Sequence, residues 1–208
     1  MTKRWKVAGA IVLSLVVAVS VGAVLFVNGY GPLALADRSG RVGTGTAKHR
    51  IDAALRATMD GISPSLTYAG ADFEVDREHH LWDGEPSMAS DVTEIIRART
   101  VVSRVKLPAL MDQVTQVWHA LGSRVVERNE ELHSLQGVGS VGGEIYLTFY
   151  AYETQDPSSY TVMLRAEAGG VLYQPAHEYE PLSPLGRTPR DSRGYVINNL
   201  LDDPYWSH

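Results

Sequence analysis

Residues 7–27 form 21 consecutive positions without a charged side chain, and Lys3, Arg4 and Lys6 precede them directly. A helix rises about 1.5 Å per residue, so such a run matches the roughly 30 Å hydrocarbon core of a bilayer. Basic flanks remain on the cytoplasmic side. The run therefore predicts a cytoplasmic basic tail at residues 1–6, a transmembrane helix at 7–27, and a chain that lies outside from about residue 30 onward. A secretory signal is the rival reading, with cleavage after Ala36 in Ala34-Leu35-Ala36 releasing the same domain. The apolar stretch exceeds the roughly 7–15 residues usual in such signals, and nine residues (28–36) separate it from the cut, so a retained anchor is favoured. Attachment through a lipid-bearing cysteine is excluded, because the chain has no cysteine.

The 172 residues from Asp37 onward suffice for one domain with a real core. Without cysteine that core must hold the exported fold with no disulfide. With the three N-terminal cations set aside, 16 Lys+Arg face 24 Asp+Glu, a net charge of −8. Such a domain repels phosphates, so nucleic acid is not an expected partner.

Glycines and Pro32 mark residues 28–45 as a flexible linker, and an extracytoplasmic domain is expected over 46–173. Ile51, Leu55, Met59 and Ile62 recur at helical spacing and predict a helix over 46–60, capped by Gly61. A strand over 66–75 follows, with a bulge at Gly70, and the polar residues 76–90 read as a loop. A long strand over 92–105 turns Ile96, Ala98, Thr100 and Val102 to one side and Arg97, Arg99 and Ser103 to the other. Pro108 opens a second helix, Gly122 closes it, and Leu107, Leu110, Met111, Val114, Val117, Trp118 and Leu121 make its apolar stripe. Strands are predicted over 124–129, 144–152 and 160–166; Gly137, Gly139, Gly142 and Gly143 read as the connection between the first two. Two amphipathic helices each need an apolar partner, and one half-buried sheet supplies it. The expected fold is α+β: an antiparallel sheet of about five strands with two helices on one face. Five prolines after residue 174 predict an irregular C-terminal tail over 174–208. Tyr195 to Leu201, with Tyr205 and Trp206, makes that tail apolar enough to dock, most simply on its own domain.

The strand at 92–105, the helix ending Val117-Trp118-His119-Ala120-Leu121-Gly122, and the hairpin elements around Gly142-Gly143 and Asp156-Pro157 carry a resemblance. Over residues 46–172 the chain resembles small exported or membrane-anchored actinobacterial proteins without an assigned activity, many of them lipoproteins. It departs from those by lacking the lipid-bearing cysteine. The resemblance implies a location and a fold, and brings no functional residues with it.

His79, His80 and Asp83, near Glu78 and Glu85, are the residues best suited to a divalent ion, and they define one alternative: a secreted or anchored metal-dependent hydrolase. Adjacent histidines on an extended segment cannot both point at one ion, and surface residues are the simpler reading. Residues 137–142 miss the Gly-x-Ser-x-Gly spacing by one position and lack the Lys-Ser/Thr ending of a phosphate loop. Glu130-Glu131 and Asp202-Asp203 read as solvated pairs, and His119 as a surface residue at a helix end. Tyr146, Tyr150 and Tyr152 form an aromatic row opposite Leu147; with Tyr195 and Trp206 they are the candidate binding residues for a protein or envelope partner. A pocket between helices and sheet, lined by Met111, Trp118 and Leu147, would instead make a small-molecule module. The expectation is a non-catalytic, membrane-anchored binding domain that needs no cofactor.

Overall fold

The computed structural model describes residues 19–21, 41–79, 84–140, 144–175, 179–182 and 184–208. The expected basic tail and most of the expected linker lie outside the described residues. So does the expected transmembrane segment, except for residues 19–21, which are helical. Among the described residues no helix is long and apolar enough to cross a membrane.

The first long helix, α1, covers Thr44–Asp60 and begins two residues before the expected start at residue 46. A tertiary contact holds that extra turn: Gly43 bridges Leu172, and the Thr44 hydroxyl donates to the Leu172 carbonyl at 2.7 Å. Ala47, Ile51, Ala54 and Leu55 supply its buried stripe. Gly61 ends the helix with φ −83, so no left-handed turn requires glycine there. A Cβ at Gly61 would run into Val117 of the second helix, so close helix packing explains the residue.

Strand β1 spans Tyr68–His79 and β2 spans Pro86–Ala98, paired antiparallel. The loop expected over 76–90 is therefore mostly strand. Asp76 pairs with Asp91, Arg77 with Ser90 and His79 with Pro86. The segment is polar because much of this end of the hairpin is exposed, so polarity there does not signal a loop. The bulge at Gly70 is present, and a Cβ there would stand 2.7 Å from the Thr188 backbone. The long strand expected to reach residue 105 stops at Ala98, and a two-residue strand, β3 (Val102–Ser103), pairs with the start of β7. Thr100 remains buried between them, its hydroxyl accepting the Thr67 N–H at 2.8 Å.

Helix α2, Leu107–Ala120, has Pro108 in its first turn and Gly122 behind it at φ +78, a left-handed position that favours glycine. Strand β4 is Arg124–Asn129, and β5 is Ser134–Ser140. The glycine-rich connection expected around 137–139 is thus a strand. Gly137 lies beneath the indole of Trp118, where a Cβ would be 2.8 Å from Cε3; at Gly139 a Cβ would meet Ser123 Oγ at 2.5 Å. These glycines make room for neighbours and do not turn the chain. Strands β6 (Glu144–Glu153) and β7 (Ser159–Leu172) finish the domain as a hairpin.

The sheet has seven strands, two more than expected, in the order β1-β2-β7-β6-β5-β4 with β3 beside β7, and the fold is α+β. One face is buried. Pairings Ile96↔Leu164, Leu164↔Phe149 and Phe149↔Leu135 carry an apolar row across four strands. Helix α1 packs on β7 and β2, α2 packs on β4 and β5, and the helices touch each other. Trp118 is buried under this layer and donates its indole N–H to Thr58 at 3.1 Å. Each large apolar side chain so buried contributes roughly 1.5–3 kcal/mol.

The tail is irregular, as its prolines dictate, yet it is stitched to the domain along its length. The Ala71 N–H donates to the Gly186 carbonyl, and Leu201 exchanges bonds with Arg99 and Val101. Leu182 and Trp206 are core residues, and the Trp206 indole donates to the Pro64 carbonyl at 2.8 Å.

Candidate functional site

Alternation along β6 sends Ile145, Leu147, Phe149 and Ala151 into the core and Tyr146, Thr148, Tyr150 and Tyr152 to the opposite face. Tyr146 is 46 % exposed and Tyr152 49 %, with Tyr150 half-buried between them. The rings of Tyr150 and Tyr152 lie 6.0 Å apart at 34°. The tyrosine row expected from the sequence is therefore assembled on the sheet face away from the buried core.

Sequence reasoning did not join this row to the charged residues beside it. Register sets Tyr150 opposite Met163 and Thr148 opposite Arg165, and Arg165 opposite Ile95. Arg97 holds Asp72 at 2.7 Å, and Arg190 from the tail reaches the same oxygen at 3.0 Å. Arg165 bonds Glu167, while its buried Nε has no hydrogen-bond partner among the described residues. Burial raises the Tyr152 hydroxyl above the usual phenol range, the neighbouring Tyr150 adds to the rise, and Arg97 and Arg165 work against it. The Tyr146 hydroxyl is also raised, first by its bond to Glu144 at 3.0 Å. The wet-side placement of Arg97 was visible in strand alternation; its company with Tyr152 required the strand order.

At one end this face opens into a cleft of about 670 Å³, lined by Glu153, Thr154, Gln155 and Asp156 from the β6–β7 turn, Thr161 from β7, and Asn198 and Leu200 from the tail. The Asn198 amide nitrogen donates to the Ala98 carbonyl at 3.2 Å and to Thr161 at 3.4 Å. Asp156 accepts from both the backbone N–H and the hydroxyl of Ser158, which hold its carboxyl below the ordinary range. The tail's part in this cleft was not legible in the sequence.

The other candidate residues are dispersed. Tyr195 is 69 % exposed in a turn of the tail whose backbone is tied to Asp191. Trp206 is 0 % exposed and packs in the core, so the candidate binding residue is used to dock the tail on its own domain and is not presented on the surface. His79 stands exposed at the end of β1, while His80 and Asp83 lie outside the described residues. Among the described residues no group of three His, Cys, Asp or Glu side chains is placed to hold a metal. Met111, Trp118 and Leu147 are packed core residues. Asp203 accepts the N–H groups of Tyr205 and Trp206, a turn-forming role.

A second cluster is buried. Glu94, 0 % exposed on β2, accepts the Leu182 N–H at 2.7 Å and faces Lys48 Nζ at 3.4 Å. Lys48 also holds Asp52 at 2.7 Å and lies 4.8 Å above the Phe73 ring. Burial, then a proton shared with Asp52, pushes the Glu94 carboxyl up to about 7, with Lys48 opposing. Glu94 is closed to solvent and tied to the tail, while Asp52 stands partly exposed at the edge of the cluster. No protein-family model, curated protein or solved structure matches the chain.

Proposed function

We propose that the chain is a single-pass membrane protein that presents a non-catalytic α+β domain outside the cytoplasm, where its tyrosine-bearing sheet face binds a protein or an envelope component. The apolar run at residues 7–27, with its basic flank, supports the location. The resemblance to exported actinobacterial proteins belongs to the same reading. The observation that carries the binding role is the row Tyr146, Tyr150 and Tyr152. Aromatic side chains standing 46 % and 49 % exposed beside arginines are the composition of binding surfaces rather than of idle sheet faces.

Crosslinking in intact membranes, followed by recovery of the full chain, tests this reading. Alanine at Tyr146, Tyr150 and Tyr152 together is expected to abolish the principal crosslinked species. An unchanged crosslinking pattern would eliminate the face as an interface. The mass of the mature chain in membrane and medium fractions separates a chain retained from Met1 from one released at Asp37.

A further inference from the structure

We propose that the cleft at the end of the tyrosine row binds a neutral, hydroxyl-rich polysaccharide chain. The inference rests on the reading of this face as a binding surface and names its ligand. Thr161 in the cleft pairs directly with Tyr152, so cleft and aromatic row form one continuous site.

The chemistry of the lining selects the ligand. Tyr150 and Tyr152 offer neighbouring ring faces, 6.0 Å apart, whose negative quadrupole suits the C–H-rich face of a sugar ring. Around the cleft, Gln155 ends in a planar amide that can hydrogen-bond paired hydroxyls through two atoms at once, and Glu153, paired with Arg104 through one oxygen, keeps acceptor capacity on the other. Asn198 commits its amide nitrogen to the Ala98 carbonyl and to Thr161, which fixes the tail as one wall of the cleft.

Other ligand classes fit less well. The lining holds two carboxylates and no cation; nearby Arg104 is paired with Glu153, and Arg97 and Arg165 beside the row are paired with Asp72 and Glu167, so none of these cations stands uncompensated to hold a phosphate-bearing ligand. Strands β6 and β7 are paired on both sides, which closes them to a peptide adding as a strand. The cleft is an open trough, whereas sites for small ligands enclose most of the ligand surface. The Asp156 carboxyl, held below its usual range by Ser158, is not set up as the raised acid that glycoside cleavage needs. Position agrees with a polymer. The cleft lies eleven residues along β7 from Leu172, beside which Gly43 brings the chain into the domain, a separation of roughly 35 Å at the strand rise.

Calorimetric titration of the full chain, held in a zwitterionic detergent free of sugar, with chitohexaose and with maltohexaose tests the proposal. At least one is expected to bind at millimolar concentration or below. Binding of chitohexaose alone identifies an acetamido sugar chain; binding of both identifies a general glycan site. Tyr152→Ala and Gln155→Ala, both at exposed positions, should each weaken binding roughly tenfold, the size of one aromatic or hydrogen-bonding contact. His49→Ala, at an exposed position of α1 on the other side of the sheet, should bind as the native chain does. Failure of both sugars to bind, or binding untouched by Tyr152→Ala and Gln155→Ala, overturns the proposal. If no sugar binds while the triple tyrosine variant still loses its crosslinked partner, the face binds a protein. If that variant also loses nothing, the reading of the face falls with it.

Discussion

Glu94 makes a pH dependence of stability that one substitution removes. Its carboxyl faces Lys48 and Asp52 from α1 and the Leu182 N–H from the tail, and it titrates at about 7 instead of an ordinary 4.5. The unfolded chain releases this proton near the ordinary value, while the folded chain keeps it until about pH 7. Between those values the folded state binds more protons, so the stability contributed by this group falls as pH rises and is lost through about 7. Taking the rise from 4.5 to about 7 at face value, the loss between pH 4.5 and 8 is on the order of 3 kcal/mol. Glu94→Gln keeps an oxygen for the Leu182 N–H and an N–H₂ for Asp52, but has no proton to lose. Urea unfolding at pH 5 and pH 8, followed through the fluorescence of buried Trp118 and Trp206, measures both proteins. Titrating groups away from this cluster are common to both, so the difference between native and variant reports Glu94 together with its partner Asp52. The variant should be close to the native protein at pH 5 and more stable at pH 8, by an amount on the order of 3 kcal/mol. A native-to-variant difference that stays constant from pH 5 to 8 would refute the assignment of the shared proton.

Further expectations follow from packing. Gly137→Val forces a side chain against the Trp118 indole and should cost about 1–3 kcal/mol, read as a lower urea midpoint; an unchanged midpoint would mean that β5 and α2 are not in contact as described. Trp206→Ala empties a fully buried site and breaks the bond to Pro64, for about 3–5 kcal/mol, and limited proteolysis should then cut the tail first. Survival of an intact tail under protease would contradict its docking. Tyr152→Ala, on a half-exposed side chain, should move stability by no more than about 0.5 kcal/mol, which separates any binding loss from unfolding.

Legibility in the sequence followed how local each cause is. Helix α2 was readable in full, because Pro108, the apolar stripe and Gly122 all lie within or beside the segment they define. The core strand β6 was readable for the same reason, through alternation, and a strand was expected over the range of β4. The tyrosine row came with that alternation, since residues two apart on a strand must share a face. At residues 137–139, where glycines were read as a connection between strands, the reading failed. Gly137 and Gly139 sit inside β5 because Trp118 and Ser123 occupy the space of their side chains, and those neighbours are fixed only by packing. The polar run 76–90 misled similarly: an exposed hairpin has no buried face to impose an apolar pattern. The proline-rich tail was expected to be irregular and is, while its pairing with Ala71, Thr100 and Glu94 depends on partners about 90 to 120 positions away.

By itself the sequence determined a charge-free stretch suited to a bilayer, an acidic α+β domain without disulfides, and which side chains share a strand or helix face. These follow from composition and from periods of two and 3.6 residues, which are properties of the backbone alone. Tertiary structure decided the seven-strand order, the meeting of Tyr152 with Arg97 and Arg165, the burial of Glu94, and the cleft that Asn198 completes. Each joins residues far apart in the chain, and their proximity exists only once the core has closed and fixed one register among many.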